Sequence, residues 1–261
     1  GMDKTLVKGV HLLEQLLVAG TPQGVSELAR QTGLNPSNVH RTLQTWTHLG
    51  FVAQDADGGY HCTLKLFEWA CRVAAGRDVR RLAREPLARL ARESLETIHL
   101  SVLDGADIVY LDKIESPQPV RAYSEVGGRA PAHCVATGKA LLAYADTSVI
   151  AGLPRPLARP TAKTVATLAA LQSQLDQVRR LGYAVNVEEW RQGVSGLGAP
   201  VFDAQGRAIA AAGLTAPSAR LGTKRLQELG QALAATAQDI TRALGGRAPQ
   251  QAAKHLRQET A

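Results

Sequence analysis

Residues 24–50, GVSELARQTGLNPSNVHRTLQTWTHLG, have the spacing of a helix-turn-helix and decide the fold of the first part of this 261-residue chain. Ala29 is small enough for two helices to cross closely. Gly33 supplies the tight turn between them, because glycine adopts left-handed backbone conformations without strain. Val39 then lies where the second helix packs on the first. We therefore predict a segment that places its second helix in the major groove of DNA.

The starts of both helices carry recognisable signals. Asn35 is a preferred N-cap residue, and Pro36 follows it at the first helical position, where its missing N–H group removes no helical hydrogen bond. Ser26 is predicted to cap the preceding helix in the same way. These signals place the start of the DNA-reading helix at residue 36.

A rotation of 100° per residue separates the apolar face of the second helix from its polar face. Val39 and Leu43 share the packed face, whereas Arg41 and Gln44 lie opposite. Arg41 can read guanine with two hydrogen bonds, and Gln44 or Asn38 can read adenine. The predicted DNA-binding residues are Ser26, Pro36, Ser37, Asn38, His40, Arg41, Gln44 and Thr45. The alternative is an ordinary amphipathic helix whose polar surface binds nothing.

The flanking segments extend the motif to a winged helix-turn-helix. Residues 5–20 form a predicted first helix with more apolar surface than one small domain covers, which indicates contact with a second subunit. Residues 51–63 are typical of a hairpin, with a strong turn signal at Asp57-Gly58-Gly59. Residues 64–77 are predicted to be a linker helix.

Charge is not what identifies the DNA-reading segment. The chain has a net charge of +7. Residues 1–77 contain seven Lys/Arg and six Asp/Glu, a net charge of +1, whereas residues 78–261 contain 23 and 17, a net charge of +6. A basic chain is compatible with nucleic-acid binding, but the predicted reader is nearly neutral. The motif is therefore the evidence for DNA binding.

Composition excludes several other classes of protein. With 45% hydrophobic and 20% charged residues, the chain has the balance of an ordinary globular protein. No apolar run approaches the roughly 20 residues that a membrane helix needs, and the first residues hold no secretory signal. We expect a cytoplasmic protein without a membrane partner. Three cysteines and no CxxC predict neither a disulfide framework nor a zinc site, and we expect no cofactor and no metal.

The periodicity of the sequence changes in its second part. Residues 97–114 are predicted to form two strands around a turn, residues 120–126 another strand, and residues 164–183 a long amphipathic helix. Strands with helices between and after them favour an α+β domain with an antiparallel sheet. The polar tail, residues 247–261, is predicted to be disordered.

Three blocks of the sequence resemble the IclR family of bacterial transcriptional regulators, and the resemblance covers roughly residues 4–246. The blocks are GLNPSNVHRTLQTWTHLGFV (33–52), GGRAPAHCVATGKALLA (127–143) and LGYAVNVEEWRQGVSGLGAPVFDAQGRAIAAAGLT (181–215). Three blocks in the right order are far more specific than a helix-turn-helix alone.

The resemblance implies an architecture and a function. A winged helix-turn-helix DNA-binding domain (4–63) and a linker helix (64–77) are expected to precede a GAF/PAS-like effector-binding domain (78–246). The expected partners are double-stranded operator DNA, a small organic acid effector, and further copies of the chain in a homodimer or homotetramer. Members of the family repress or activate catabolic operons.

The second block also predicts an anion site on physical grounds. A Gly/Pro loop leads into a helix, so free backbone N–H groups around Ala136 and Thr137 can point at a carboxylate. His133 and Cys134 border that position, and Arg129 either meets an anionic effector or forms a surface ion pair. Motif positions carried over from the family add four residues from later strands. The predicted effector-binding residues are Arg129, His133, Cys134, Ala136, Thr137, Asn186, Gly196, Gly213 and Thr215.

This chain departs from some family members at three of those positions. Those family members have an acidic side chain at the position of Asn186, and hydroxyl or thiol groups at the positions of Gly196 and Gly213. An amide and two glycines predict a larger or less polar cavity here, which favours a bulkier ligand such as an aromatic acid.

The alternative function is an enzyme or metabolite-binding protein whose N-terminal domain serves only assembly. His133 and Cys134 are a conceivable base and nucleophile. Adjacent residues at a helix start rarely face one another, however, and the sequence names no third group. We therefore expect no enzymatic activity.

Overall fold

The computed structural model describes residues 1–75, 78–122 and 124–249. The chain forms two compact units, Gly1–Arg77 and Asp78–Ala261. Residues 76 and 77 of the predicted linker helix and residues 250–261 of the predicted tail lie outside the described residues. No helix in the described ranges combines the length and the apolar character that crossing a bilayer requires.

The first unit consists of helices and a two-stranded wing. Its elements are α1 (Lys4–Ala19), α2 (Val25–Thr32), α3 (Pro36–His48), β1 (Val52–Gln54), β2 (Tyr60–Cys62) and α4 (Lys65–Ala75). Strands β1 and β2 pair antiparallel, and Gln23 adds a bridge to Tyr60. The order of elements is that of the predicted winged helix-turn-helix.

The turn between α2 and α3 forms as predicted. Gly33 has a φ angle of +67°, in the left-handed region. The Asn35 side chain accepts a hydrogen bond from the Ser37 N–H at 2.9 Å, and Pro36 stands at the first helical position. The predicted cap of α2 is wrong, because α2 begins directly after Gly24 and Ser26 lies inside its first turn.

The bridge to the wing explains the earlier start of α2. Gln23 and Tyr60 exchange two backbone hydrogen bonds, of 2.9 and 2.8 Å. This pairing keeps the chain extended up to Gly24, so the helix begins at Val25.

The second unit is an α+β domain built on one antiparallel sheet. Its elements are α5 (Asp78–Ser94), β3 (Thr97–Asp104), β4 (Asp107–Ile114), β5 (Arg129–Pro131), α6 (Ala136–Leu142), α7 (Thr147–Ala151), α8 (Leu168–Leu181), β6 (Ala184–Val187), β7 (Val194–Phe202), β8 (Ala208–Pro217) and α9 (Thr223–Ala243). The strand order is β5-β4-β3-β8-β7-β6. The predicted antiparallel α+β domain is confirmed.

The predicted strand at 120–126 is wrong. None of its described residues, 120–122 and 124–126, lies in a strand, and Tyr123 is outside the described residues. Side chains satisfy backbone carbonyls of this segment: Arg220 donates to the Val120 carbonyl oxygen at 2.8 Å, and Lys113 donates to that of Ser124 at 2.6 Å. The segment is therefore held as a loop without strand pairing.

Side chains along the central strands alternate between the two faces of the sheet. Ile98, Leu100 and Leu214 belong to a core packed against α5 and α9. His99 and Gly213 alternate with them and point to the other face, on which α6 packs. This second face carries the candidate ligand site.

Candidate functional site

Helix α3 presents a polar, exposed face to solvent. All eight residues predicted to bind DNA are exposed; seven lie on α3, and Ser26 lies on α2. On the opposite side Val39 and Leu43 are fully buried. Trp46 anchors the same side, because its indole N–H donates to the Gly9 carbonyl oxygen at 3.0 Å. The amphipathic division of the helix is therefore as predicted.

Hydrogen bonds order part of the exposed face of α3. Arg41 donates one hydrogen bond to Asn38 Oδ1 at 3.0 Å. A guanidinium group has five N–H donors, so most of its donors stay available for a base edge. Gln44 donates to the Tyr60 hydroxyl at 3.3 Å, which connects the helix to the wing.

The turn of the wing is acidic and is folded by its own carboxylate. Asp55 Oδ1 accepts hydrogen bonds from the backbone N–H groups of Asp57 at 3.1 Å and Gly59 at 2.8 Å. Lys65, which follows the wing, donates to the Leu49 carbonyl oxygen. Acidic side chains repel phosphate, so the charge at the wing tip is unfavourable for contact with a DNA backbone.

In the second unit a cavity of about 260 Å³ opens beside α6 and the sheet. Residues from several strands and from the intervening loops contribute to its wall. The lining residues are His99, Tyr110, Arg121, Ala122, Ser124, Glu125, Gly128, Arg129, Val135, Ala136, Thr137, Asn186, Trp190, Arg191, Val194, Gly196, Leu197, Leu214 and Thr215.

Most of the predicted effector-binding residues meet at this cavity. Those that line it are Arg129, Ala136, Thr137, Asn186, Gly196 and Thr215, and those that do not are His133, Cys134 and Gly213. The strand register explains part of the convergence, since Thr215 pairs with Gly196 and Gly196 pairs with Asn186. Cross-strand partners share one face of a sheet, so this row points to one side.

Two glycines allow α6 to pack closely on its surroundings. A Cβ atom at Gly198 would lie 2.5 Å from the backbone of Ala136, and one at Gly138 would lie 2.1 Å from the Ala132 carbonyl oxygen. A side chain at Gly198 would push the start of α6 away from strand β7, and one at Gly138 would push α6 away from the backbone of Ala132. The glycines therefore set the position of Ala136 and Thr137 in the cavity wall.

The cavity wall contains buried polar atoms that lack partners. Among the described residues, neither Thr137 Oγ1 nor Ser124 Oγ has a hydrogen-bond partner. Buried polar atoms are almost always hydrogen-bonded in folded proteins. Both hydroxyls are therefore available to hydrogen-bond water or a polar ligand in the cavity.

His99 is a wall residue that the sequence analysis missed. It is buried on β3, and its Nε2 lies 2.9 Å from Thr215 Oγ1. Its ring packs edge-to-face on Tyr110, with ring centroids 5.0 Å apart. Burial lowers the pKa of His99 to about 4, so the imidazole is neutral at physiological pH. Side chains alternate between the two faces of a strand, so the position of His99 between Ile98 and Leu100 indicates that it faces away from their core.

The space beside Gly213 is occupied by His99. The two residues pair across β3 and β8, and a Cβ atom at Gly213 would lie 2.1 Å from His99 Cε1. The prediction of extra room at this glycine is therefore wrong, because an imidazole fills it. The wall at this point is polar.

Arg129 forms ion pairs with its neighbours, whereas Arg191 has a different environment. Arg129 pairs with Asp104 at 2.8 Å and Asp107 at 3.3 Å, so its charge is already balanced. Burial raises the pKa of Tyr110, and the charge of nearby Arg191 opposes that shift. Within the described ranges no carboxylate pairs with Arg191. Arg191, also missed by the sequence analysis, is the better candidate to meet an anion.

His133 and Cys134 contact each other, contrary to the expectation from their adjacency. Cys134 Sγ lies 3.3 Å from His133 Nε2. The same Nε2 lies 2.8 Å from the Ala158 carbonyl oxygen, which can only accept, so Nε2 carries the proton. Burial raises the pKa of Cys134 to about 12. The geometry therefore fits a packed structural pair, not a base beside a thiolate.

Acidic and metal-ligating side chains form no candidate metal centre. Among the described residues, no group of three or more His, Cys, Asp or Glu side chains is arranged to hold a metal ion.

Comparison with known proteins decides the family. Residues 71–242 match the family described as "Bacterial transcriptional regulator IclR C-terminal", and residues 5–56 match the "IclR helix-turn-helix domain". The chain belongs to the IclR family. IclR-family proteins are DNA-binding transcriptional regulators with a C-terminal effector-binding domain, and they are not enzymes.

Relatives in the IclR family are similar over most of the chain. The HTH-type transcriptional regulator KdgR of Escherichia coli K12 is 38% identical over 225 residues, which are 85% of this chain and 86% of the relative. The transcriptional repressor IclR of the same strain is 30% identical over 251 residues, 94% and 92% of the two chains.

Solved IclR-family structures share the fold. The Thermotoga maritima IclR structure has a TM-score of 0.81 at 27% identity and covers 92% of this chain and 98% of its own. An IclR homolog from Microbacterium hydrocarbonoxydans, complexed with 4-hydroxybenzoate, has a TM-score of 0.80 at 26% identity and covers 92% and 99%.

Proposed function

We propose that this IclR-family chain reads double-stranded operator DNA with helix α3 and responds to a small organic acid bound in the cavity. The winged helix-turn-helix spans residues 4–63, a linker helix 64–77, and the effector-binding domain 78–246. The observation that carries the proposal is the exposed polar face of α3, which is fixed from behind by buried Val39 and Leu43.

The chemistry of the cavity supports a small aromatic acid as the effector. A volume of about 260 Å³ suits a ligand smaller than the occupants of typical pockets of about 300–1,000 Å³. Tyr110 and Trp190 supply aromatic walls, Arg191 a cation, and Asn186 and Thr215 hydrogen-bonding groups. The related Microbacterium protein was solved with 4-hydroxybenzoate. We propose that the genes under control encode catabolism of such an acid.

The first unit exposes apolar side chains that a partner copy can cover. Leu6 and Val18 of α1 are 62% and 82% exposed, and Phe67 and Val73 of α4 are 66% and 74% exposed. We propose a homodimer, or a homotetramer, in the cytoplasm. Two copies of α3 then read two halves of a palindrome, and this doubles the contacts of a reader whose own charge is nearly neutral.

Two experiments test the proposed function. Calorimetric titration with benzoate, 4-hydroxybenzoate, glyoxylate and pyruvate is expected to give tighter binding of the aromatic acids. Tight binding of glyoxylate or pyruvate alone would exclude the aromatic class. A gel shift on the DNA upstream of the protein's own gene is expected to show a specific complex. The absence of any shift, with and without these acids, would favour the alternative of a metabolite-binding or enzymatic domain with an N-terminal assembly domain.

A further inference from the structure

A buried ion pair lies behind the cavity wall. Lys139, in the middle of α6, donates from Nζ to Glu189 Oε2 at 2.5 Å, and the two side chains are only 1% and 8% exposed. Neither residue lines the cavity. Removing two charges from water is so unfavourable that a buried pair is weak evidence for added stability. A gain in stability is therefore not a sufficient reason for a Lys139–Glu189 pair at this position.

Each end of the pair is attached to a different part of the cavity wall. Lys139 lies two residues after Thr137, a wall residue with an orphaned hydroxyl. Glu189 directly precedes Trp190 and Arg191, which line the cavity from the loop between β6 and β7. The ion pair thus connects α6 to the loop that carries the aromatic side chain of Trp190 and the cation of Arg191.

Further contacts fix the same loop at its backbone. The Glu189 N–H donates to Asn186 Oδ1 at 2.8 Å, and Thr164 Oγ1 donates to the Glu189 carbonyl oxygen at 2.6 Å. Glu188 has a φ angle of +56°, a conformation that residues with a side chain rarely adopt. A strained residue persists only where its surroundings hold it in place. The Lys139–Glu189 pair is a buried, charged part of that support.

We propose that Lys139 and Glu189 are positioning residues that hold the 188–193 loop, and with it Trp190 and Arg191, against the cavity. Through that loop they set the affinity for the effector, and this second part rests on the proposed function. The pair touches no ligand itself. Preorganised groups bind more tightly because less conformational freedom is lost on binding.

The test uses full-length variants and hydrogen–deuterium exchange, which requires no ligand. Lys139→Met and Glu189→Gln break the pair, and the double variant removes both charges, so no buried charge is left unpaired. Lys163→Met is the matched control, because it removes an exposed cation that pairs with the partly buried Glu188 in the same loop. We expect backbone amides of residues 188–193 to exchange roughly tenfold faster in the double variant, with β3 and β8 unchanged.

The double variant separates positioning from simple stabilisation. We expect it to recover the thermal stability of the wild type, while exchange in the 188–193 loop stays fast, because two uncharged side chains form no directional bond. Wild-type exchange in the loop of the double variant, or faster exchange throughout the second unit of the double variant, would overturn the proposal.

A calorimetric titration with 4-hydroxybenzoate measures the consequence for binding. We expect the pair variants to bind about tenfold more weakly than the wild type and the Lys163→Met control. Equal affinities would overturn the link to the effector. If the wild type itself binds no 4-hydroxybenzoate, the proposed aromatic effector fails, and the exchange measurement alone decides on the positioning pair.

Discussion

At the scale of single residues, the contact between His99 and Gly213 shapes one wall of the cavity. A polar ring fills the volume that a side chain on β8 would take, and Thr215 holds the ring by a hydrogen bond of 2.9 Å. Gly213 in this chain is therefore a packing requirement. Reading this glycine from the sequence alone leads to the opposite conclusion, because the residue that fills the space lies 114 positions earlier in the chain.

We predict that Gly213→Ala destabilises the second unit by roughly 1–3 kcal/mol, since overpacking displaces His99 and breaks its bond to Thr215. The free energy of unfolding in urea measures the effect. In the double variant Gly213→Ala/His99→Ala the clash is absent, so part of the loss is recovered. A Gly213→Ala protein as stable as the wild type would contradict the assigned contact.

The depressed pKa of His99 predicts a pH dependence of stability. Burial lowers this pKa from 6.5 to about 4 in the folded chain, so the unfolded chain binds more protons between those values. The stabilisation is complete above pH 6.5 and is lost as the pH falls toward 4, by up to roughly 3 kcal/mol at about 1.4 kcal/mol per pKa unit.

Urea unfolding of the wild type and of His99→Gln, measured from pH 4 to pH 7, isolates this contribution. The variant is expected to lose less stability on acidification than the wild type over the same interval. Parallel curves for the two proteins would show that His99 does not titrate as described.

At the scale of elements, local signals predicted the helix-turn-helix well. Gly33, Asn35 and Pro36 act through the backbone of their immediate neighbours, so their effect can be read from sequence. The start of α2 could not be predicted from the sequence, because a bridge between Gln23 and the distant Tyr60 determines it. Cavity residues such as Arg191 were missed for the same reason: their role depends on which strands and loops meet.

The turn between α2 and α3 gives a prediction about glycine. A Cβ atom at Gly33 meets nothing within 4 Å, so substitution there affects only backbone conformation. Gly33→Ala is expected to destabilise the first unit by roughly 1–2 kcal/mol, because alanine at a φ of +67° is strained. Gly33→Asn should lose clearly less, since asparagine tolerates this region.

Thermal unfolding, monitored by circular dichroism, compares the two variants. Both substitutions are made at the same position, where a Cβ atom has open space around it. Equal melting temperatures for Gly33→Ala and Gly33→Asn would mean that the left-handed turn is not what this residue provides.

At the scale of the whole molecule, the chain combines a nearly neutral reader with a more basic second unit. The net charge is +1 for residues 1–77 and +6 for residues 78–261. Some arginines of the second unit are paired with carboxylates, as in the pairs of Arg89 with Asp239 and Arg220 with Glu96. Sequence-specific affinity is therefore expected to come from α3, in two copies, more than from general attraction to phosphate.

The central claim is that the exposed face of α3 reads operator DNA, and Arg41 is its most informative residue. The measurement is the fluorescence anisotropy of a labelled duplex from the upstream DNA used in the gel shift, titrated with wild type, Arg41→Ala and Arg180→Ala. Arg180 is an exposed arginine of α8 in the second unit, so its variant has the same change in net charge.

Arg41→Ala is expected to weaken specific binding by at least about fivefold, since one bidentate base contact contributes roughly 1–3 kcal/mol of discrimination. Circular dichroism and thermal stability should stay at wild-type values, and Arg180→Ala should bind like the wild type. Undiminished operator affinity of a folded Arg41→Ala protein would contradict the claim that this face of α3 reads DNA.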